Sequence, residues 1–416
     1  MRIWIVNANT GSPNKVSNPR YIEYARNLMN QGYDVVTFNS SLREDVEITK
    51  GDYVEKRYGD FKFVHIKGKK YSGNGIKRMF SLYQFAKTLL SIRNRFEKPD
   101  IIIHNIHAPF DYPIVTMSKK LKAKYIGEVW DIWPEAFVRV GFVKESNPLL
   151  KIAYHFEKRM YEKADALVFS MEGGLDYLRE QKWASDCGGP VDVNKVYYIN
   201  NGVNIEKFNH DRQTFTISDP DLNNPSLFKV IYLGSIKMVN HVRTIVDAAK
   251  ILQSEKDIVF LIYGNGNERE SLVAYCQNNN INNVKFKEKR IPFENVAYVV
   301  SQSDLNLMNY DSYFGKYGIS SGKFFQYLAA GKPIVANVNF NYNDIKRYNL
   351  GVSDDFSTPE KYASAIKSIR DLSTKDYQEM CERVKQTAYS YDSSVLSQKL
   401  ISIIKSITDG IDDKKE

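Results

Sequence analysis

Along most of this chain, short apolar runs alternate with segments in which apolar residues recur every third or fourth position. The first pattern reads as strands buried on both faces, the second as amphipathic helices laid over them. In the first half the runs are RIWIVNA, YDVVTFN, FKFVHIK, DIIIHNI, KYIGEVW and ALVFS; in the second they are FKVIYLGS, DIVFLIYGNG, VKFKEK, DLNLMNY and PIVANV. YIEYARNLMNQGY predicts a helix closed by Gly32. NPLLKIAYHFEKRMYEKA predicts another, with Leu150, Ala153, Tyr154, Met160 and Tyr161 on its apolar stripe. Such alternation builds parallel sheets flanked by helices. Two series of it within 416 residues predict an α/β protein of two tandem Rossmann-like domains facing a central cleft. The polar stretch near 204–225, rich in Asn, Asp and Pro, is expected to be the hinge.

Composition narrows the class. Hydrophobic content of 43% and charged content of 26% fit a globular protein, and no run of 18 apolar residues exists to span a membrane. Cys187, Cys276 and Cys381 lie far apart, which suggests reduced thiols in a cytoplasmic compartment rather than a disulfide framework or a zinc site. MRIWIVNA reads as a first strand, without the features of a secretion signal. The net charge of +9 is uneven: residues 1–210 hold 32 Lys and Arg against 24 Asp and Glu, and residues 62–124 hold 14 against 3. Lys67, Lys69, Lys70, Lys77 and Arg78 fall near Phe80, Leu82 and Phe85. That grouping is either a solvated basic face or a surface for anionic lipid headgroups at the inner face of the cell membrane. Nucleic acid is not expected as a partner, because no recognition motif accompanies the charge.

The stretch YGISSGKFFQYLAAGKPIVA carries the most specific chemistry. A helix opening with Ser320, Ser321, Gly322 and Lys323 presents unpaired amides, two hydroxyls, a position without a side chain and a cation. Those groups suit a diphosphate; an ordinary cap with a solvated lysine is the alternative. Gly264 and Gly266 suit a tight strand-to-helix turn. Asp131 follows a strand end and pairs at four residues with Glu135, on one face if the segment is helical, although Pro134 suggests a turn first. Asp131 is open to two readings, a group that orients or deprotonates an acceptor hydroxyl and a cap carboxylate. His104 and His107 close DIIIHNIH, His107 being the better placed for a sugar hydroxyl. SDDF and DPD place acids in apparent loops, and the histidines lack ligand spacing, so neither a metal nor another cofactor is expected.

Six segments in order resemble retaining GT-B glycosyltransferases of family 4. They are EVWDIWPEAF, FEKRMYEKADALVFSMEGGLDYL, YYINNGVNIEKF, VIYLGSIKMVNHVRTIVDAAKIL, FLIYGNGNERESL and SSGKFFQYLAAGKPIVA. The first is similar to the RDLWPES variant of bacterial O-antigen and capsule transferases. The resemblance implies an acceptor-binding domain at 1–205, a nucleotide-sugar donor domain at 206–386, and a closing segment at 387–416 that crosses back on the stripe Val395, Leu396, Leu400, Ile403 and Ile404. It implies a donor site of Gly234, Ser235, Gly264, Gly266, Arg290, Ile291, Ser320, Ser321, Gly322, Lys323 and Gln326, and an acceptor site of Asn9, Gly11, Asp131 and Glu135. Asp131, Lys323, Lys237 and His107 become the catalytic candidates. The implied activity is transfer of a hexosyl or N-acetylhexosaminyl group from a nucleotide-diphosphate donor, UDP first among them, to a glycan on a lipid diphosphate. Four positions depart from the pattern. Gln326 and Gly318 stand where the family carries glutamates, and Ser235 with Asn240 stand where it carries Arg and Lys, so Lys237 or Arg243 would have to supply that cation. These departures also motivate a second class, a non-catalytic GT-B subunit of another transferase; a nucleotide-sugar epimerase is a more distant third.

Overall fold

The structure, a computed structural model, describes residues 1–13, 19–43, 46–71, 75–139, 141, 143–310 and 315–409. The middle of the loop after the first strand and the charged tail DDKKE lie outside the described residues. The chain forms two compact units, Met1–Asn200 with Leu396–Glu416, and Asn201–Val395.

The first unit holds strands β1 (Arg2–Val6), β2 (Asp34–Ser40), β3 (Tyr53–Tyr58), β4 (Phe61–Ile66), β5 (Ile101–Asn105), β6 (Lys124–Val129), β7 (Ala166–Phe169) and β8 (Val196–Tyr198). They form one sheet in the order β3-β4-β2-β1-β5-β6-β7-β8. Only β3 runs antiparallel, paired with β4 through a turn in which Gly59 takes φ +59°. Its helices are α1 (Arg20–Asn30), α2 (Ile76–Ile92), α3 (Tyr112–Leu121), α4 (Glu135–Arg139), α5 (Pro148–Lys163) and α6 (Gly174–Glu180). Helix α1 ends as predicted: Gly32, at φ +82°, donates to the Met29 carbonyl and Tyr33 to that of Leu28. That left-handed residue closes the helix by pairing carbonyls otherwise left without donors.

The second unit holds β9 (Phe228–Leu233), β10 (Ile258–Tyr263), β11 (Val284–Phe286), β12 (Leu305–Asn309), β13 (Ile334–Asn337) and β14 (Gly351–Asp354), all parallel, in the order β11-β10-β9-β12-β13-β14. Its helices are α7 (Ile205–Thr214), α8 (Val242–Ile251), α9 (Arg269–Asn278), α10 (Val296–Ser301), α11 (Gly322–Ala330), α12 (Asp344–Arg347), α13 (Pro359–Arg370) and α14 (Thr374–Tyr389). The final helix, α15 (Ser393–Thr408), buries Leu396, Leu400, Ile401, Ile403 and Ile404 in the first unit's core beside Ile3, Ile5, Ile101 and Ile103. Both sheets are therefore doubly wound. Each reverses its strand order once near its centre, between β1 and β5 and between β9 and β12, and the carboxyl ends of those strands are where such sheets bind ligands.

Several expectations need correction. The polar segment near 204–225 is partly helical: Asn204 caps α7, whose Phe208 is buried in the second unit's core. Beyond it, Asp219 and Asp221 of the DPD loop grip Lys287. SDDF is partly strand, since Ser353 and Asp354 end β14. On α5, Glu157 takes a buried place in the stripe while Ala153 and Tyr154 are only half-buried. Val395 points away from the buried face of α15 and is exposed. Leu82 and Phe85 lie in the core, so the apolar groups shown by α2 are Phe80 and Tyr83. Among the described residues no helix is long and apolar enough to cross a membrane.

Candidate functional site

At the centre of the second sheet, β9 runs out into Gly234, Ser235 and Ile236. This turn lies against the one after β10 so closely that neither tolerates a side chain at the contact. A Cβ on Gly264, which adopts φ +138°, would fall 1.8 Å from the Gly234 carbonyl oxygen, and one on Gly266 would fall 1.9 Å from that of Ile236. Backbone bonds replace side-chain packing: Gly234 donates to Tyr263 at 3.0 Å and Ile236 to Asn265 at 2.9 Å. Asn240 is buried and donates to the carbonyl (2.9 Å) and the hydroxyl (2.7 Å) of Ser235, so the two residues that replace the expected cations brace this turn together. Buried Arg269 donates to the carbonyls of Gly264 and Lys287, at 2.7 and 2.5 Å, and ties the β10 and β11 turns to each other.

Helix α11 begins beside these turns. Ser321 occupies its N-cap in an extended conformation and makes no side-chain bond to the first-turn amides. Its hydroxyl is paired with that of Tyr310, at the end of β12. The Ser320 hydroxyl accepts from the Asn201 amide at 3.2 Å, which leaves its own proton free to donate. Gly322 is exposed. Lys323 reaches back across the helix mouth: its Nζ lies 4.8 Å from the ring centre of Tyr232 and 4.9 Å from that of Tyr310, and a Cβ on Gly234 would meet it at 2.9 Å. Among the described residues it has no carboxylate partner. Burial pushes its ammonium group down to about 8, because desolvation penalises the charge and no anion compensates. Gln326, one turn along, is half-buried and also lacks a hydrogen-bond partner among the described residues.

Sequence reasoning thus places Gly234, Ser235, Gly264, Gly266, Ser320, Ser321, Gly322 and Lys323 on three turns converging where β9 and β12 part. The other candidates divide. Lys237 is exposed and unpaired among the described residues. Arg243 is not an available cation: it bonds Asp247 at 2.9 Å and stacks on Tyr275, its guanidinium 3.5 Å from the ring centre. Arg290 is exposed on the loop after β11, whereas the Ile291 side chain packs on the core. Gly318 takes φ +93°, a conformation that a glutamate would adopt only under strain.

In the first unit, Asn9 and Gly11 follow β1. Asn9 donates its amide to the Asn7 side chain at 2.8 Å and accepts from Arg43 at 2.5 Å. Asp131 and Glu135 do not share a helical face, because α4 starts only at Glu135, whose carboxylate accepts from the Tyr154 hydroxyl. Asp131 reaches solvent, yet the protein around it pushes its carboxyl up, opposed by the charges of His107 and Arg78. His104 and His107 are buried and share one acid that the sequence reading passed over, Asp111. The carboxylate Oδ2 lies 3.1 Å from His104 Nε2 and 3.3 Å from His107 Nδ1. Also missed was the buried pair Arg20–Glu128, 2.7 Å apart, which anchors α1 to β6 and to the carbonyls of Ile199 and Asn200. Residues this far apart in sequence leave no spacing signal.

Residues 213–391 match the family model described as glycosyl transferases group 1. A probable glycosyltransferase of Pseudomonas aeruginosa, WbjE, is 22% identical over 285 residues, and the alignment spans 66% of each chain. Among solved structures, sucrose-phosphate synthase from Thermosynechococcus elongatus superposes with a TM-score of 0.70 at 14% identity, covering 99% of this chain and 100% of that one. HepE of Anabaena, solved with UDP and glucose, gives a TM-score of 0.63 at 14% identity, covering 98% of this chain and 100% of that one. At such identities the likeness shows the fold: two Rossmann-like domains of the GT-B kind.

Proposed function

We propose that the protein is a retaining glycosyltransferase that moves a hexosyl or N-acetylhexosaminyl group from a UDP-linked donor to a hydroxyl of a glycan acceptor. One observation carries this reading. The Lys323 ammonium is held, partly desolvated and without a counter-ion among the described residues, at the N-terminus of a nine-residue helix. A diphosphate supplies the missing charge, and the first-turn amides of α11 add donors aimed at the same point. As the bond between sugar and phosphate lengthens, negative charge grows on the leaving oxygen, and preorganised groups stabilise that state more than the ground state. Gly234, where a Cβ would meet the Lys323 ammonium at 2.9 Å, leaves room for the ligand to approach. Lys237 is a second cation on the same turn.

The first unit takes the acceptor, and His107 and Asp131 orient its hydroxyl. With no covalent nucleophile assigned, the hydroxyl attacks on the face from which the diphosphate leaves. Lysine and helix amides do the work for which other transferases employ a metal, so turnover should survive a chelator. A glycan on a lipid diphosphate, of the kind assembled into O-antigen or capsule, agrees with the resemblance of EVWDIWPEAF to the RDLWPES transferases and with α2. That helix has no acidic residue and exposes Phe80 and Tyr83 beside Lys77 and Lys87, a face fitted to an anionic membrane surface.

A donor screen by mass spectrometry, with and without a lipid-extract acceptor, tests the reading. Release of UDP and a sugar-extended product in the wild type, lost in Lys323→Ala, supports it. Unchanged kcat/KM in that variant rejects the phosphate assignment. Nucleotide binding without turnover of any donor would favour a non-catalytic subunit, the reading that Gln326 motivates.

A further inference from the structure

The carboxyl ends of β1 and β5, where the first sheet reverses its strand order, carry a second cluster of titratable groups. His104 is the penultimate residue of β5, His107 follows in the loop, Asp111 stands at the N-cap of α3 and Tyr125 lies on β6. An aspartate at that place normally caps the helix, yet Asp111 makes no side-chain bond to the amides of α3. Its carboxylate turns toward the two imidazoles instead, and Oδ2 also accepts from the His107 backbone amide at 2.5 Å. The residue is 4% exposed, and Oδ1 is buried with no hydrogen-bond partner among the described residues. A buried carboxylate used only to hold a loop would be an expensive choice, because an apolar residue there would avoid the desolvation cost.

The contacts define which nitrogens carry protons. His104 turns Nε2 toward Asp111 and meets the Tyr125 hydroxyl with Nδ1 at 2.9 Å, so both of its ring nitrogens are engaged inside the protein. His107 turns only Nδ1 toward the acid. Its Nε2 has no partner among the described residues, and Trp133 packs edge-on against the ring with centroids 5.3 Å apart, fixing its plane. An anion beside Nδ1 favours a proton there, and in the neutral ring that leaves a lone pair on Nε2.

We propose that Asp111 is a positioning residue that holds His107 in the Nδ1-protonated tautomer, so that Nε2 accepts a hydrogen bond from a hydroxyl of the acceptor sugar. The inference rests on the first unit being the acceptor side. The electrostatics agree with it: burial pushes the Asp111 carboxyl up, but the two imidazoles more than reverse that and hold it well below the usual carboxylate range.

The tautomer can be read without any activity. In protein labelled with 15N-histidine, long-range proton–nitrogen spectra should show His107 with a protonated Nδ1 and a bare Nε2, assigned by its loss in His107→Gln. Asp111→Asn should move the population toward Nε2–H. In transfer assays Asp111→Asn should lower kcat/KM for the acceptor by about 10- to 100-fold while leaving UDP affinity unchanged, as for other groups that orient a histidine through its far nitrogen. The double variant Asp111→Asn/His107→Gln should be no slower than His107→Gln alone. An Nε2-protonated His107 in the wild type overturns the proposal, and this measurement stands even if Asp111→Asn fails to fold. So does a tautomer unmoved by Asp111→Asn, or rate losses that simply multiply in the double variant. If the tautomers behave as described and no sugar is transferred, the transferase reading fails and the role of Asp111 in acceptor recognition fails with it, whereas its hold on His107 remains.

Discussion

Lys323 makes the proposed donor site testable through its own proton. Its pKa lies near 8 in the free protein, against an ordinary lysine value of about 10.4. A diphosphate beside the ammonium should lift that value well above 9. Binding near pH 8 then draws about half a proton from solution per nucleotide, about a tenth near pH 7 and about nine tenths near pH 9. Affinity should fall accordingly by about tenfold between pH 7 and 9, close to 1.4 kcal/mol, while the nucleotide itself stays ionised. Calorimetric titration of UDP in two buffers of different ionisation enthalpy measures this uptake directly. In Lys323→Met it should vanish across the whole range, and kcat for transfer should fall by about 100- to 1,000-fold, the usual loss when one preorganised donor is removed. The same physics predicts an opposite effect on stability. A lysine whose folded pKa lies below its unfolded value destabilises the fold, fully below about pH 8 and not at all above about pH 10.4, by roughly 2 to 3 kcal/mol. Lys323→Met should therefore melt higher than wild type at neutral pH, with the gap closing as pH rises through that window. Proton uptake that persists in the variant, or a variant less stable than wild type at pH 7, would refute the placement of this charge.

Other perturbations probe the scaffold. Gly264→Ala puts a methyl group onto the Gly234 carbonyl at a φ of +138°, and should cost about 2 kcal/mol or more in urea unfolding together with most donor affinity. Arg20→Ala strands the Glu128 carboxylate, whose side chain is fully buried, and should lower stability by about 3 to 5 kcal/mol; Arg20→Met/Glu128→Leu should recover much of that loss in the same melts. Lys237→Ala should reduce donor kcat/KM more than Arg243→Ala, because only Arg243 is already committed to Asp247 and Tyr275. Replacing Phe80 and Tyr83 together by serine should weaken co-sedimentation with anionic vesicles and leave turnover of a soluble acceptor intact.

What could be read in advance follows from where physical constraints are local. RIWIV, IVFLIY and LNLMN are central parallel strands, buried on both faces, and their apolar runs gave them away. YVEKRY became the antiparallel edge strand β3; an edge needs no second apolar face, so Glu55, Lys56 and Arg57 disguised it. VYY and GVSD are short edge strands fixed by their neighbours rather than by their own pattern. The donor-side turns were legible because glycine and a helix-opening lysine answer to rules of backbone geometry and charge that act over a few residues. Asp111, Arg269 and the Arg20–Glu128 pair were not, since each works by reaching a partner or carbonyl that only the fold brings near. Gln326 joins the two cases. The sequence shows an amide where a carboxylate would repel a nearby diphosphate; the structure shows that amide without a hydrogen-bond partner among the described residues, one turn from Lys323. A neutral side chain there leaves the lysine as the charge that sets the field at the helix mouth. Gln326→Glu should then pull the Lys323 pKa upward in the free protein and reduce proton uptake on UDP binding, a consequence that a solvent-facing glutamine would not have.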